Sequence, residues 1–244
     1  MKRNVILIAI ASMLTLSLSA QQARHDIRQH VELAGSNYVA YPGPKKALTA
    51  APKGYEAYYI SHYGRHGSRY LIGTNDYDKP YNMLLKADSL GKLTAKGKDV
   101  LAKVKLIREE AQLRDGELTL LGAQQHRGIA KRMYERFPEV FKGKTAIDAR
   151  STIVIRCILS MENELQQLAS MNPQLEIAHD ASVHDMWYLN DSHSPYNRLR
   201  DTKEASKANS EFSKRHDNWD HLMTVLFSDP EYVKTINAGS LARH

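Results

Sequence analysis

The chain has 244 residues, 42% apolar and 25% charged, close to the globular average and unlike a disordered, collagen-like or coiled-coil protein. Its single cysteine, Cys157, excludes an intramolecular disulfide framework and a cysteine-based zinc cluster. With 34 basic and 27 acidic side chains the formal net charge is +7, which suits an anionic ligand without identifying one.

At the N-terminus, Lys2 and Arg3 precede a run of apolar and small residues from Val5 to Leu18, followed by Ser19-Ala20 and the polar Gln21-Gln22. This pattern predicts an export signal over residues 1–20, cleaved near Ala20, and a periplasmic or secreted mature protein. The run falls short of the roughly 20 residues that a membrane-spanning helix needs, and no cysteine follows it for a lipid anchor. Residues 21–52 read as mixed and turn-rich, broken at Tyr41-Pro42-Gly43-Pro44. The aromatic stretch Tyr55–Ile60 predicts a strand, which runs directly into the loop Ser61-His62-Tyr63-Gly64-Arg65-His66-Gly67-Ser68-Arg69-Tyr70. Val100, Leu101, Val104 and Ile107 have helical spacing within about Ala95–Gln112, a helix stopped by Arg114-Asp115-Gly116. Thr119 then caps a second helix that ends at Phe137-Pro138. Thr145–Ala149 predicts a short strand. Ser151 or Thr152 caps a third helix with Val154, Ile158, Met161, Leu165 and Leu168 on one face, and Leu175–Ala178 predicts another strand. This alternation predicts an α/β fold. From Asn190 a polar loop leads to a helix over about Lys203–Phe227 and a last helical stretch after Asp229-Pro230. Trp187, Tyr188, Trp219 and Phe227 are the expected core of this separate helical layer.

The chemistry concentrates in Arg65-His66-Gly67-Ser68-Arg69. Ligands bind at the C-terminal ends of strands in parallel α/β sheets, and this loop follows the first predicted strand. Guanidinium groups hold phosphate oxygens bidentately and stay charged, while a neutral imidazole can attack phosphorus and form a phosphohistidine. Gly64 and Gly67 allow a tight loop that approaches a ligand closely. Arg150 stands at the end of the Thr145–Ala149 strand, beside a helix N-terminus that favours anions, and is a candidate phosphate clamp. Arg156 is read as support for that site or as the partner of a carboxylate, with direct substrate binding as the alternative. His126 is expected to be a polar residue facing a neighbouring element. None of the eleven histidines forms a HExxH-type helical pair, and Cys157 stands apart from them, so no metal site is expected. Lys203, Lys207, Lys214 and Arg215 interleave with acids as on a solvated helix face, which argues against nucleic acid as a partner.

The loop Ser61–Tyr70 resembles the signature of the histidine acid phosphatases. Tyr70 after the second arginine resembles the multiple inositol polyphosphate phosphatases more than the fungal or enterobacterial phytases, whose loop usually carries a proline soon after. Leu118-Thr119-Leu120-Leu121-Gly122, leading to Phe137-Pro138, is similar to the family's LTxxG helix. Arg150-Ser151-Thr152 with Arg156-Cys157-Ile158-Leu159-Ser160 is similar to its second motif. The resemblance implies a three-layer phosphoglycerate-mutase-like core, here incomplete, over residues 21–185. Residues 186–244 would then begin an α-helical cap. It implies phosphomonoester hydrolysis of inositol polyphosphates such as phytate, with His66 as nucleophile, Arg65, Arg69 and Arg150 as clamps, and neither cofactor nor metal. The family's second catalytic histidine with its acid is absent. His179-Asp180 and His184-Asp185 come too early, and His244 has no acid after it. The expectation is therefore an N-terminal part of a longer phosphatase. A catalytically impaired part that binds phosphate esters and a broad-specificity acid phosphatase are the alternative readings.

Overall fold

Two threonines start helices where the sequence places them. The hydroxyl of Thr94 accepts the amide of Gly97, and that of Thr119 accepts the amide of Gly122, so each satisfies a free N–H of a first turn. The computed structural model describes residues 22–41, 43–44, 46–190, 196–197 and 202–243. The expected export signal, His244 and most of the polar loop after Asn190 lie outside them. The chain divides into two units, Met1–Thr49 and Ala50–His244. In the first, the expectation of a turn-rich segment is corrected: a helix covers 22–29, and a 3-10 helix follows at Val31–Tyr38. Gln22 donates to the Asp26 carboxylate at 2.7 Å one turn on.

The second unit carries helices α1 (Thr74–Ser89), α2 (Ala95–Glu110) and α3 (Leu120–Arg136), then strand β1 (Ala146–Ser151), helix α4 (Ile155–Met171) and strand β2 (Glu176–Ala181). The short α5 (Met186–Leu189) follows, with α6 (Lys203–His216), α7 (Asp220–Leu226), α8 (Pro230–Val233) and α9 (Ala238–Arg243) after it. The strands β1 and β2 pair in parallel, Ala146 opposite Glu176 through Ser151 opposite Ala181, with α4 as the crossover and α3 packed along it. This is the α/β arrangement that the alternating pattern leads to.

Two apolar clusters hold the unit together. In one, Ala130, Phe141 and Leu168 are buried with Ile60, Met133, Tyr134 and Ile147 against them, and Tyr134 stacks on Phe141 at 5.4 Å. In the other, Leu84, Ala87, Leu93, Met223, Leu226, Phe227 and Leu241 join α1 and α2 to the C-terminal helices. Leu93 bridges Phe227, and the Thr94 amide donates to Leu226 O at 3.0 Å. Lys92 pairs with Asp229 at 2.6 Å beside them.

Several local expectations change. Tyr55–Ile60 is irregular rather than a strand, because a strand exists only within a ladder and no described residue pairs with this segment. Tyr55, Tyr58 and Tyr59 are exposed, and only Ile60 reaches a core cluster. Helix α1 has no counterpart in the sequence reading, since Pro80 lies inside it and such a residue usually ends a helix. Tyr77, Pro80, Leu84 and Ala87 form one buried stripe along α1, and that burial offsets the cost. The long helix expected over Lys203–Phe227 breaks at Asp217–Trp219, where the Asn218 side chain accepts the Asp220 amide at 2.9 Å and starts α7 anew. Helix α4 starts at Ile155 after an N-cap at Val154, not at Ser151 or Thr152, which are both buried. Phe227 is buried and Trp219 packs on the same cluster, but Trp187 and Tyr188 are exposed rather than core.

Candidate active site

The loop 61–70 lies across the start of α3 and the first turns of α4. Downstream of His66 it is pinned by backbone bonds. The Gly67 amide donates to Ser160 Oγ at 3.1 Å and the Ser68 amide to Gln125 Oε1 at 2.8 Å. The Ser68 carbonyl accepts both the amide and the hydroxyl of Thr119 at 2.9 Å. Thr119 thus caps α3 and clamps the loop at once. Arg69 bridges Leu118 in antiparallel fashion, and the Tyr70 hydroxyl donates to Glu110 at 3.1 Å under the Arg114 guanidinium.

Gly67 and Gly122 explain why two glycines stand at this crossing. Neither has a positive φ. A Cβ on Gly67 would come within 2.5 Å of Gly122 O and 2.6 Å of its Cα. Close passage of two backbones, rather than a left-handed turn, is what these positions require.

His66 is half-buried in this crossing. Its Nδ1 lies 2.8 Å from Gly67 O. A carbonyl only accepts, so Nδ1 carries the proton and the Nε2 lone pair of the neutral ring is left for chemistry. Burial holds the His66 pKa below its ordinary 6.5. The Gly67 carbonyl opposes this, and the guanidinium groups of Arg156, Arg65 and Arg69 push it further down. A folded-state value below the unfolded one means that this stabilisation is present above 6.5 and is lost as the pH falls through the folded value. Nitrogen NMR of His66 is expected to show a titration midpoint below 6.5 that moves upward in Arg156→Ala.

The arginines separate into two groups. Arg65 is exposed and makes no hydrogen bond or ion pair with the described residues. Arg69 donates to Tyr70 O at 2.7 Å. Arg156 donates to Gly116 O at 3.3 Å, while its Nε is buried without a hydrogen-bond partner. Arg156, Arg65 and Arg69 are the charges that act on His66. Arg150, at the end of β1, pairs instead with Asp148 at 2.5 Å and Asp185 at 3.8 Å. The two His-Asp pairs also have structural partners. His179 binds Glu162 at 2.6 Å, Asp180 accepts the Ala181 amide, and Asp185 faces Arg150 and Tyr188.

Sequence reasoning overlooked one group, Glu164 with His62, and read His126 only as a polar residue facing a neighbour. The Glu164 carboxylate accepts from His126 Nδ1 at 2.6 Å and pairs with His62 Nε2 at 3.5 Å. Burial alone would raise Glu164, but the two imidazoles outweigh it and hold the carboxyl below its usual range. His62 is raised above 6.5, chiefly by its bond to Glu164. The signal was in the spacing: Arg156, Ser160 and Glu164 recur every four residues on α4, opposite Gly122, His126 and Ala130 on α3.

Among the described residues, no three His, Cys, Asp or Glu side chains form a cluster suited to a metal ion. No described helix is long and apolar enough to cross a membrane.

No protein-family model and no curated protein matches the chain. Solved structures of a multiple inositol polyphosphate phosphatase from Bifidobacterium longum do. With inositol hexasulfate bound, the TM-score is 0.55 at 20% identity, over 78% of this chain and 47% of that one. With phosphate bound, the TM-score is 0.51 at 20% identity, over 78% and 47%. The apo form gives 0.51 at 20% identity, over 78% and 46%. This chain therefore spans about half the length of the chains it matches, and it shares their α/β fold.

Proposed function

We propose that the chain carries the nucleophile half of a phosphomonoester hydrolase that works through a phosphohistidine on His66 and takes inositol polyphosphates such as phytate. The observation that carries this reading is the half-buried His66 ring, with Nδ1 held 2.8 Å from Gly67 O and the guanidinium charges of Arg156, Arg65 and Arg69 acting on it. The Bifidobacterium structures that share the fold were solved with phosphate and inositol hexasulfate, which supports a phosphate-ester ligand.

In the first step Nε2 attacks phosphorus, the P–O bond to the alcohol breaks, and the alkoxide leaves with the bonding electrons and takes up a proton. In the second, water attacks phosphorus, the P–N bond breaks, and phosphate departs as His66 returns to its neutral form. Positioning and charge stabilisation supply most of the rate in such transfers, so the guanidinium groups are the main catalytic contribution of this chain. No acid is assigned to protonation of the alkoxide among the described residues. We read the N-terminal apolar run as an export signal that places this site in the periplasm or outside the cell.

The test is covalent capture. The chain mixed with radiolabelled phytate and quenched in alkali is expected to carry acid-labile label on His66, located by mass spectrometry. Label on another residue, or none on folded protein that binds phytate, overturns the mechanism.

A further inference from the structure

The loop is held unevenly on its two sides. After His66 it is fastened by the Gly67, Ser68 and Thr119 hydrogen bonds described above. Before His66, two polar contacts hold it among the described residues. The Tyr63 hydroxyl donates to Leu189 O at 3.2 Å, and the His62 ring pairs with Glu164. Gly64 then packs on that same ring, so closely that a Cβ there would stand 2.8 Å from His62 Nε2. Arg65 and His66 come next in the chain. Glu164 is therefore connected to them through one imidazole and one glycine.

Glu164 has a firm seat for this purpose. It lies two turns along α4 from Arg156, on the same face as Ser160, and its other partner, His126, is buried on α3. The titratable groups facing the pair are His62 from the loop, Glu164 from α4 and His126 from α3.

We propose that Glu164 is a positioning residue that holds His62 as a protonated latch, keeping Arg65 and His66 in place for anion binding and releasing them when His62 loses its proton. The inference rests on the reading of the loop as a phosphoryl-transfer site. Two pH windows follow. His66 titrates below the ordinary imidazole value and His62 above it, so loss of the latch comes at higher pH than protonation of the nucleophile. The His62 contribution is fully present below 6.5 and is lost as the pH rises through its raised folded value, whereas that of Glu164 is lost only at acid pH.

Inositol hexasulfate is the probe, because its sulfate esters stay ionised throughout and it needs no turnover. Calorimetry on the full chain is expected to show affinity falling about tenfold between about pH 6 and pH 8.5, the scale of one charged hydrogen bond. Glu164→Gln should bind about tenfold more weakly than the wild type at the lower pH and show no further fall. An unchanged profile in folded Glu164→Gln overturns the latch while leaving the phosphate-site reading intact. Absence of binding by folded wild-type chain at every pH overturns the site reading, and the latch with it. Should Glu164→Gln fail to fold, backbone carbon relaxation NMR on the wild type decides. The order parameters of Gly64–His66 should fall across that range while those of Leu165 and Leu168 hold. Parallel behaviour of the two sets overturns the latch.

Discussion

Arg156→Ala is expected to slow phosphorylation of His66 by about 10²–10³-fold, the usual cost of losing one preorganised donor to a developing charge. Arg150→Ala should cost less than about tenfold, as expected for an exposed ion pair. The contrast comes from placement. Arg156 leads the guanidinium charges acting on His66, and its bond to Gly116 O holds it in place beforehand. Arg150 is already engaged by Asp148 and Asp185. Rapid-quench labelling with phytate measures both variants, and His66→Ala, which should abolish labelling, sets the floor. A larger loss in Arg150→Ala than in Arg156→Ala would reverse the assignment.

Gly67→Ala is expected to destabilise the second unit by about 3 kcal/mol and to remove labelling of His66. The added methyl would meet Gly122 O at 2.5 Å and Gly122 Cα at 2.6 Å. Both are backbone atoms, so no side chain can rotate away and the loop must lift from α3. Gly122→Ala should behave alike, because its Cβ would collide with the Ser68 carbonyl and stand 2.6 Å from Leu118 Cδ1. Gly128→Ala in the same helix is the control. Its methyl meets only the far end of the Arg132 side chain, at 3.1 Å, and alanine is the better helix former, so stability should hold or rise by up to about 1 kcal/mol. Urea unfolding followed by circular dichroism orders the three variants. Equal midpoints for Gly67→Ala and Gly128→Ala would show that the loop does not cross α3 so closely.

These expectations draw on different depths of information. Thr119 announces helix α3 because a cap bonds only to residues within its own turn, and the spacing of Val100, Leu101, Val104 and Ile107 announces α2. Strands β1 and β2 and helix α4 follow from local periodicity in the same way, with boundaries displaced by one to a few residues. The nucleophile candidate His66 and its flanking arginines were legible too, because they are consecutive in the chain. Helix α1 was not, since Pro80 argues against it locally and only the stripe of Tyr77, Leu84 and Ala87 against other helices sustains it.

By itself, then, the sequence determined helices α2, α3 and α4 and strands β1 and β2 through short-range bonding and periodicity, the α/β order and the residue types of the loop. Tertiary structure alone decided that Tyr55–Ile60 goes unpaired among the described residues, that α6 and α7 separate at Asn218, and that Arg150 pairs with Asp148 and Asp185 while Arg156 lies near His66. It alone joined His62, His126 and Glu164, which lie 38 residues or more from their partners along the chain. The physical reason is common to all of these. Caps and periodicity act over a few residues, whereas ladders, close backbone passages and buried charge pairs depend on which distant segments share the space, and no local pattern records that.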